Sequence, residues 1–284
     1  MIKGKLSIKL KLPYQFFYLY FMLITILIKY IHNLLFYKRT KKEHITEEHI
    51  TEELKDILSN TQLNAINKIN HLCSEKHELI IERLNKNADE LARNNFISKF
   101  TNSSMAINFN AINLTIIAND THYRNQFETG TSSGFYGLKD RAGWEASLFS
   151  NIYGDSIENG FDRPKYGNLM INHKSQTGYG CAYFVLKDDI KDRTTFTLGD
   201  SGNNDYKSES VYSFKYASAS YEKMNNTTVP EKFLYGYEYI EIQIHGPIRL
   251  NKDIKSLHIP RPASNYNIKD IKKLKQKGIQ IVYY

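Results

Sequence analysis

Four polar side chains alternate with three isoleucines in the run Tyr239-Ile240-Glu241-Ile242-Gln243-Ile244-His245-Gly246. In an extended strand successive side chains point to opposite faces, so Ile240, Ile242 and Ile244 share one face and Tyr239, Glu241, Gln243 and His245 share the other. A carboxylate, an amide, an imidazole and a phenol in one row can form a reactive site. Glu241 can stabilise a developing cation or accept a proton, and His245 and Gln243 can orient it or its substrate. The same row also suits the wet face of an ordinary half-buried strand. The run defines a candidate site without defining a reaction.

A second group of chemistry-bearing residues lies upstream. Tyr123 to Gly134 reads YRNQFETGTSSG. It brings together Arg124, Gln126 and Glu128, followed by a Gly/Ser/Thr turn containing Thr131 and Ser132. Such a turn can aim backbone N–H groups and hydroxyls at an anion, and Arg124 can fork onto a phosphate or carboxylate. The bland alternative is a polar loop closed by an Arg124–Glu128 ion pair. No Gly-Lys-Ser/Thr follows, so the turn is not a Walker loop. Further on, Arg163-Pro164-Lys165-Tyr166-Gly167 offers a second guanidinium, suited equally to a phosphate or a surface turn. Arg193 to Ser201 (RTTFTLGDS) reads as a strand with Thr195 and Thr197 on one face, ending in a turn at Asp200 and Ser201. No GxSxG elbow surrounds Ser201, which argues against serine-hydrolase chemistry. The two cysteines, Cys73 and Cys181, form no CxxC pair, and no metal-ligand spacing emerges.

The elements that must position these groups divide the chain in three. Residues 1–42 contain the apolar stretch Phe16 to Ile28, and Tyr14 to Tyr37 is long enough for a membrane-spanning helix with tyrosines near both ends. This segment implies a single-pass membrane anchor of undetermined orientation, with a targeting segment or a cytoplasmic or secreted protein as alternatives. Residues 43–100 read as helical. Ser59 and Gln62 have capping-box spacing, Leu63, Ile66, Ile69 and Cys73 make an amphipathic pattern, and a second helix is expected over His77 to Asn94. From residue 101 to 284 short apolar runs alternate with Gly, Asn, Asp and Ser, the pattern of strands and turns. Strands are expected at Ile112–Ala118, Tyr183–Leu186, Thr194–Thr197, Val211–Tyr216, Tyr239–His245 and Ile279–Tyr283. Helices are expected at Trp144–Asn151 and Asn267–Lys277, the latter stopped by Gly278. The fold class is α+β: N-terminal helices, then a mixed and mainly antiparallel sheet.

A formal charge of +8 permits nucleic acid or an anionic membrane as partner. Its clusters, which flank the apolar stretch and line the Asn267–Lys277 helix, accompany no nucleic-acid motif, so nucleic acid is not the expected partner.

Five segments, Leu58–Leu72, Tyr123–Gly134, Arg163–Leu169, Arg193–Ser201 and Tyr239–Gly246, occur in the order found in DUF3626, a mainly bacterial family of unknown function, which the chain resembles from about residue 55 to its end. The family name carries no activity. A more distant resemblance does: Arg163, Ser201 and Glu241 follow the order Arg, Ser, Glu of many ADP-ribosyltransferases, although the Ser-Thr-Ser strand motif is absent and the usual Glu/Gln-x-Glu pair appears reversed as Glu241-x-Gln243. That resemblance implies NAD as substrate and a macromolecular acceptor, with a protein as the acceptor partner. It implies Glu241, Gln243 and His245 as the catalytic group, and Arg124, Gln126, Thr131, Ser132, Arg163, Tyr166 and Ser201 as the NAD-binding group. A non-catalytic ligand-binding module and a phosphoester or glycoside hydrolase are the rival readings.

Overall fold

The structure, a computed structural model, describes residues 52–86, 98–130, 136–171, 180–202, 206–221 and 239–284. The chain divides into two units, Met1–Glu52 and Glu53–Tyr284, and the sheet lies in the second. The fold class expected from sequence is the one observed.

Helices α1 (Glu52–Ile57) and α2 (Asn60–Lys86) open the described chain. Ser59 and Gln62 form the expected reciprocal cap: Ser59 N donates to Gln62 Oε1 at 3.0 Å and Gln62 N to Ser59 Oγ at 3.3 Å. Ala65, Ile66, Ile69, Cys73 and Ile80 make its buried stripe. Where two helices were expected there is one, because Ser74, Glu75 and Lys76 contain no helix breaker; residues 87–97 lie outside the described chain.

The strands are β1 (Ser104–Phe109), β2 (His122–Tyr123), β3 (Lys165–Met170), β4 (Ala182–Leu186), β5 (Thr194–Leu198), β6 (Val211–Ser213), β7 (Ile240–Ile244), β8 (Ile248–Arg249), β9 (Ile254–Ile259) and β10 (Gln280–Tyr283). Eight of them form one sheet in the order β10-β9-β4-β1-β3-β7-β5-β6, and β2 pairs with β8. Every pairing in the large sheet is antiparallel except β9 with β10. That parallel pair needs a crossover, supplied by the helix Ile268–Gln276 between Asn267, whose side chain caps it, and Gly278 at φ 84°.

Further helices among the described residues are α3 (Leu114–Ala118), α4 (Gln126–Thr129), α5 (Leu138–Leu148) and α6 (Ile268–Gln276). Helix α3 corrects the strand expected at Ile112–Ala118. Asn110 Oδ1 accepts from Ile112 N and starts a 3-10 turn that runs into α3. Leu114 and Ala118, four residues apart, are buried, whereas Ile112 and Ile116 are exposed, a helical rather than an alternating pattern. The strand expected at Val211–Tyr216 stops at Ser213 and becomes a 3-10 stretch, Phe214–Ser220. Cys181 precedes β4 and is exposed.

Two glycines mark backbone constraints around the central strands. A Cβ on Gly167 in β3 would lie 2.2 Å from the Ala106 carbonyl oxygen of β1, so only glycine lets those strands approach. Gly246 ends β7 at φ 81°, a conformation that favours glycine.

The expected single-pass membrane anchor is corrected. Among the described residues no helix is long and apolar enough to cross a membrane, and the segment 14–37 on which the expectation rested lies outside them.

Candidate functional site

Strand β7 lies between β3 and β5. Residues opposite one another across antiparallel strands share a face, so the registers Tyr166↔Gln243, Asn168↔Glu241, Thr195↔Gln243 and Thr197↔Glu241 assemble six polar side chains from three strands on one face. The other face carries Ile240, Ile242 and Ile244, packed with Phe196 in the main core. The polar face is not the wet side of a half-buried strand. Glu241 is 6% exposed, and Gln243 and His245 are fully enclosed.

Burial of so many polar atoms requires hydrogen bonds, and a continuous chain supplies them. Ser201 Oγ donates to Glu241 Oε1 at 2.5 Å. Gln243 Nε2 donates to the same Glu241 oxygen at 3.0 Å and to Thr197 Oγ1 at 3.2 Å. Thr195 Oγ1 donates to Gln243 Oε1 at 3.0 Å and lies 3.2 Å from His245 Nε2. His245 Nδ1 is 2.6 Å from Tyr153 Oη, and the His245 ring meets Phe149 edge-on. Arg193 fixes the end of the strand by donating to the carbonyls of His245, at 2.5 Å, and Pro247, at 2.9 Å, while pairing with Asp253 at 3.2 Å.

A second buried cluster adjoins the first. Arg163 Nη1 pairs with Glu145 of α5 at 2.6 Å, and Tyr166 Oη donates to the other Glu145 oxygen at 3.0 Å. Arg163 Nη2 donates to the carbonyls of Tyr153, Gly154 and Ser156, and its guanidinium stacks on Phe127 at 4.4 Å. This commitment explains the burial of Arg163: a phosphate could reach it only by displacing Glu145.

The electrostatics follow from enclosure. Burial pushes the carboxyl group of Glu241 up to about 7. Asp200 adds to the rise, and the bonds from Ser201 and Gln243 oppose it. Burial likewise lifts Glu145 to about 7 against the pull of Arg163 and Tyr166. His245 is driven down to about 3 by burial, with the charges of Arg193 and Lys165 reinforcing the shift, so its ring is neutral at pH 7. Tyr166 is held well above its usual range by burial and by Glu145 and Glu241.

The sequence candidates therefore separate into groups. Ser201, Glu241, Gln243 and His245 share one hydrogen-bonded chain. Tyr166 occupies the same sheet face but bonds to Glu145, with Arg163. Arg124 is half exposed and pairs with Asp120 at 2.6 Å, not with Glu128. Glu128 instead completes a capping box with Asn125 and meets His122 at 3.0 Å and Lys165 at 3.5 Å. Gln126 is half-buried in the first turn of α4. Thr131 and Ser132 lie outside the described residues. Among the described residues no group of three or more His, Cys, Asp or Glu side chains could hold a metal ion.

Glu145, Tyr153 and Asn168 were assigned no role from sequence. Glu145 had a legible signal, since it stands on the buried stripe of α5 with Ala142 and Leu148, where an acidic residue needs a partner. Asn168 alternates with Tyr166 along β3. Tyr153 has no local signal, as it meets His245 across ninety-two positions of sequence.

Residues 108–221 match the model of the family described as "Protein of unknown function (DUF3626)". The resemblance read from the sequence is thereby borne out over that region, which includes YRNQFETGTSSG, RPKYGNL and RTTFTLGDS and ends before β7. Among solved structures, DarT of Thermus sp. 2.9 in complex with NAD+ is similar over 64% of this chain and 95% of that one, at 8% identity and a TM-score of 0.37. No curated protein matches the chain.

Proposed function

We propose that the polar face around Glu241 cleaves NAD and transfers its ADP-ribosyl group to a macromolecular acceptor, a protein being the expected one. The observation that carries this reading is the state of Glu241. Its Oε1 is pinned by Ser201 and Gln243, and neither bond falls on Oε2. A carboxylate fixed in advance, in an enclosed site, stabilises a developing positive charge without reorganising. In the reaction the bond between C1′ and the nicotinamide nitrogen breaks, and its electron pair leaves with neutral nicotinamide. Positive charge grows on the ribose ring, where Glu241 accepts from a ribose hydroxyl and offsets it. A lone pair of the acceptor then forms the new bond to C1′, and the acceptor's proton passes to solvent water. Gln243, held by Thr195 and Thr197, keeps Glu241 in place. His245, neutral and bonded at both ring nitrogens, acts as a positioning residue behind Gln243 and is not a proton donor. The pyrophosphate is not assigned to Arg163, which is spent on Glu145.

Only ionised Glu241 performs this role. Its carboxyl titrates near 7, so turnover rises with pH through about 7 and flattens above it. The test is to incubate the protein with NAD and candidate acceptor proteins, measuring nicotinamide release and the mass added to the acceptor. Glu241→Gln keeps the shape and one acceptor oxygen but loses the charge. It is expected to lower turnover by about a hundredfold or more, the usual cost of removing an electrostatic stabiliser. Equal turnover in this variant refutes the assignment, and NAD binding without turnover in the parent protein indicates a binding module.

A further inference from the structure

Asn168 is the one buried, unpartnered side chain among the described residues that faces Glu241. It stands opposite Glu241 in the β3/β7 ladder and opposite Ala106 in the β3/β1 ladder. Only 1% of it is exposed, yet its Nδ2 donates to nothing. The other buried atoms without partners are the Nε atoms of Arg141 and Arg163 and the hydroxyl of Ser213. The Arg163 guanidinium is already held through its other two nitrogens, and Ser213 lies one strand beyond Thr195, away from Glu241.

A buried donor left without a partner is costly, and sites that must bind a ligand are where such a cost is kept. Register aims this one. Side chains directly opposite across an antiparallel pair have Cβ atoms about 5 Å apart, so the amide of Asn168 and the carboxyl of Glu241 are neighbours on one face of the sheet. On the far side of Asn168 the neighbour is Ala106, whose methyl group takes little room. The pair is chemically complementary: Glu241 Oε2 accepts, and Asn168 Nδ2 donates. Two adjacent hydroxyls on one sugar ring satisfy both at once, one donating to the carboxylate and its neighbour accepting from the amide.

We infer that Asn168 is a ligand-binding residue that, with Glu241, reads a vicinal diol of the substrate, the hydroxyl pair of a ribosyl group being the class that fits. The inference rests on the proposed role of Glu241 in contacting the ligand and adds the residue that selects the sugar. Its energetic signature differs from that of a structural asparagine. A structural asparagine loses stability when replaced by an apolar residue of similar size, whereas an unpartnered one does not.

The experiment compares the full chain with Asn168→Leu and Asn168→Ala. With NAD as probe, Asn168→Leu is expected to raise KM about tenfold, the worth of one lost hydrogen bond. The kcat is expected to stay within about threefold, because the contact is made in ground and transition state alike. The melting temperature is expected to be equal to or above that of the parent. Asn168→Ala is expected to show the same rise in KM. An unchanged KM in both variants, or a fall in melting temperature that accounts for the lost activity, overturns the inference and leaves the NAD reading standing. If the parent releases no nicotinamide, thermal shifts with nicotinamide mononucleotide, which carries the ribose that Glu241 contacts, and with its 2′,3′-dideoxy counterpart separate the two claims. Stabilisation by the diol alone, lost in Asn168→Leu, supports the inference while the transfer reaction falls. Stabilisation by neither compound, or by both equally, overturns the inference.

Discussion

At the scale of single residues, Glu241 is placed where its charge is useful and expensive. Burial has moved its carboxyl from an ordinary value near 4.5 to about 7. An acid whose pKa is higher in the folded state binds its proton more tightly there, so ionisation costs stability. That cost is absent below about pH 4.5 and develops as pH rises through 7. Glu241→Gln removes the charge but keeps an oxygen for Ser201. The variant is therefore expected to melt higher than the parent at pH 8.5, by several degrees, and to converge with it near pH 5. Thermal melts of both proteins across that range check the prediction, and parallel curves at all pH values contradict it. His245 has the opposite sign. Its folded pKa of about 3 lies below 6.5, so its neutral form contributes stability that is lost as pH falls from about 6.5. Tyr153→Phe leaves a ring nitrogen of His245 without its 2.6 Å partner. It is expected to cost about 1–3 kcal/mol of stability, measurable by urea unfolding at pH 7.5.

At the scale of elements, the site depends on how closely β3 approaches both neighbours. Gly167 lets β1 in on one side while Tyr166 and Asn168 face Glu241 and Gln243 on the other. Gly167→Ala places a methyl group against the Ala106 carbonyl and is expected to cost about 1–3 kcal/mol or more through strand displacement. Gly143→Ala on α5 provides the contrast: nothing lies within 4 Å of the added Cβ, so helix propensity predicts a gain of about 0.5–1 kcal/mol. Denaturant unfolding of the two variants gives the comparison, and equal losses would remove the steric explanation. These elements also show how far the sequence could be read. The alternation of β7, the cap of α2 and the Asn267-to-Gly278 frame of α6 are local signals and were legible. The helical run at Leu114–Ala118 was misread because five residues of Leu, Thr, Ile and Ala suit either period, and the Asn110 cap decides between them. The polar face of β7 was legible as a row of residues but not as a buried one. Its covering residues, Glu145, Phe149 and Tyr153, come from about a hundred positions upstream, and only the folded sheet brings them over it. The same distance hid Asn168, whose meaning depends on its register with Glu241.

At the scale of the whole molecule, the hydrogen-bonded chain around Glu241 and the Glu145–Arg163–Tyr166 cluster lie within residues 145 to 245, and the strands that carry them are braced from outside that range. Arg193 and Asp253 tie the end of β7 to the turn before β9. Gln62 of α2 donates to the carbonyls of Phe161 and Asp162, the latter at 2.9 Å, just before β3 begins. Cys73 of the same helix contacts the Val211 carbonyl of β6. Helix α2 therefore bridges the segment leading into β3 and the edge strand β6, while β9, α6 and β10 complete the opposite edge. All of these supports belong to the unit that starts at Glu53. A chain of residues 53–284 is accordingly expected to unfold in one cooperative transition and to retain the full chain's rate of nicotinamide release from NAD, within about twofold, since it contains every hydrogen bond that the site makes among the described residues. Removing Gln62 as a donor, by Gln62→Leu in that shorter chain, is expected to lower its stability by about 1–2 kcal/mol, since the part-buried carbonyl of Asp162 loses its partner, whereas that of Phe161 keeps Lys165. If the shorter chain melts broadly, or keeps its melt but loses turnover, residues 1–52 contribute to folding or to the site in a way that the contacts of the second unit do not anticipate.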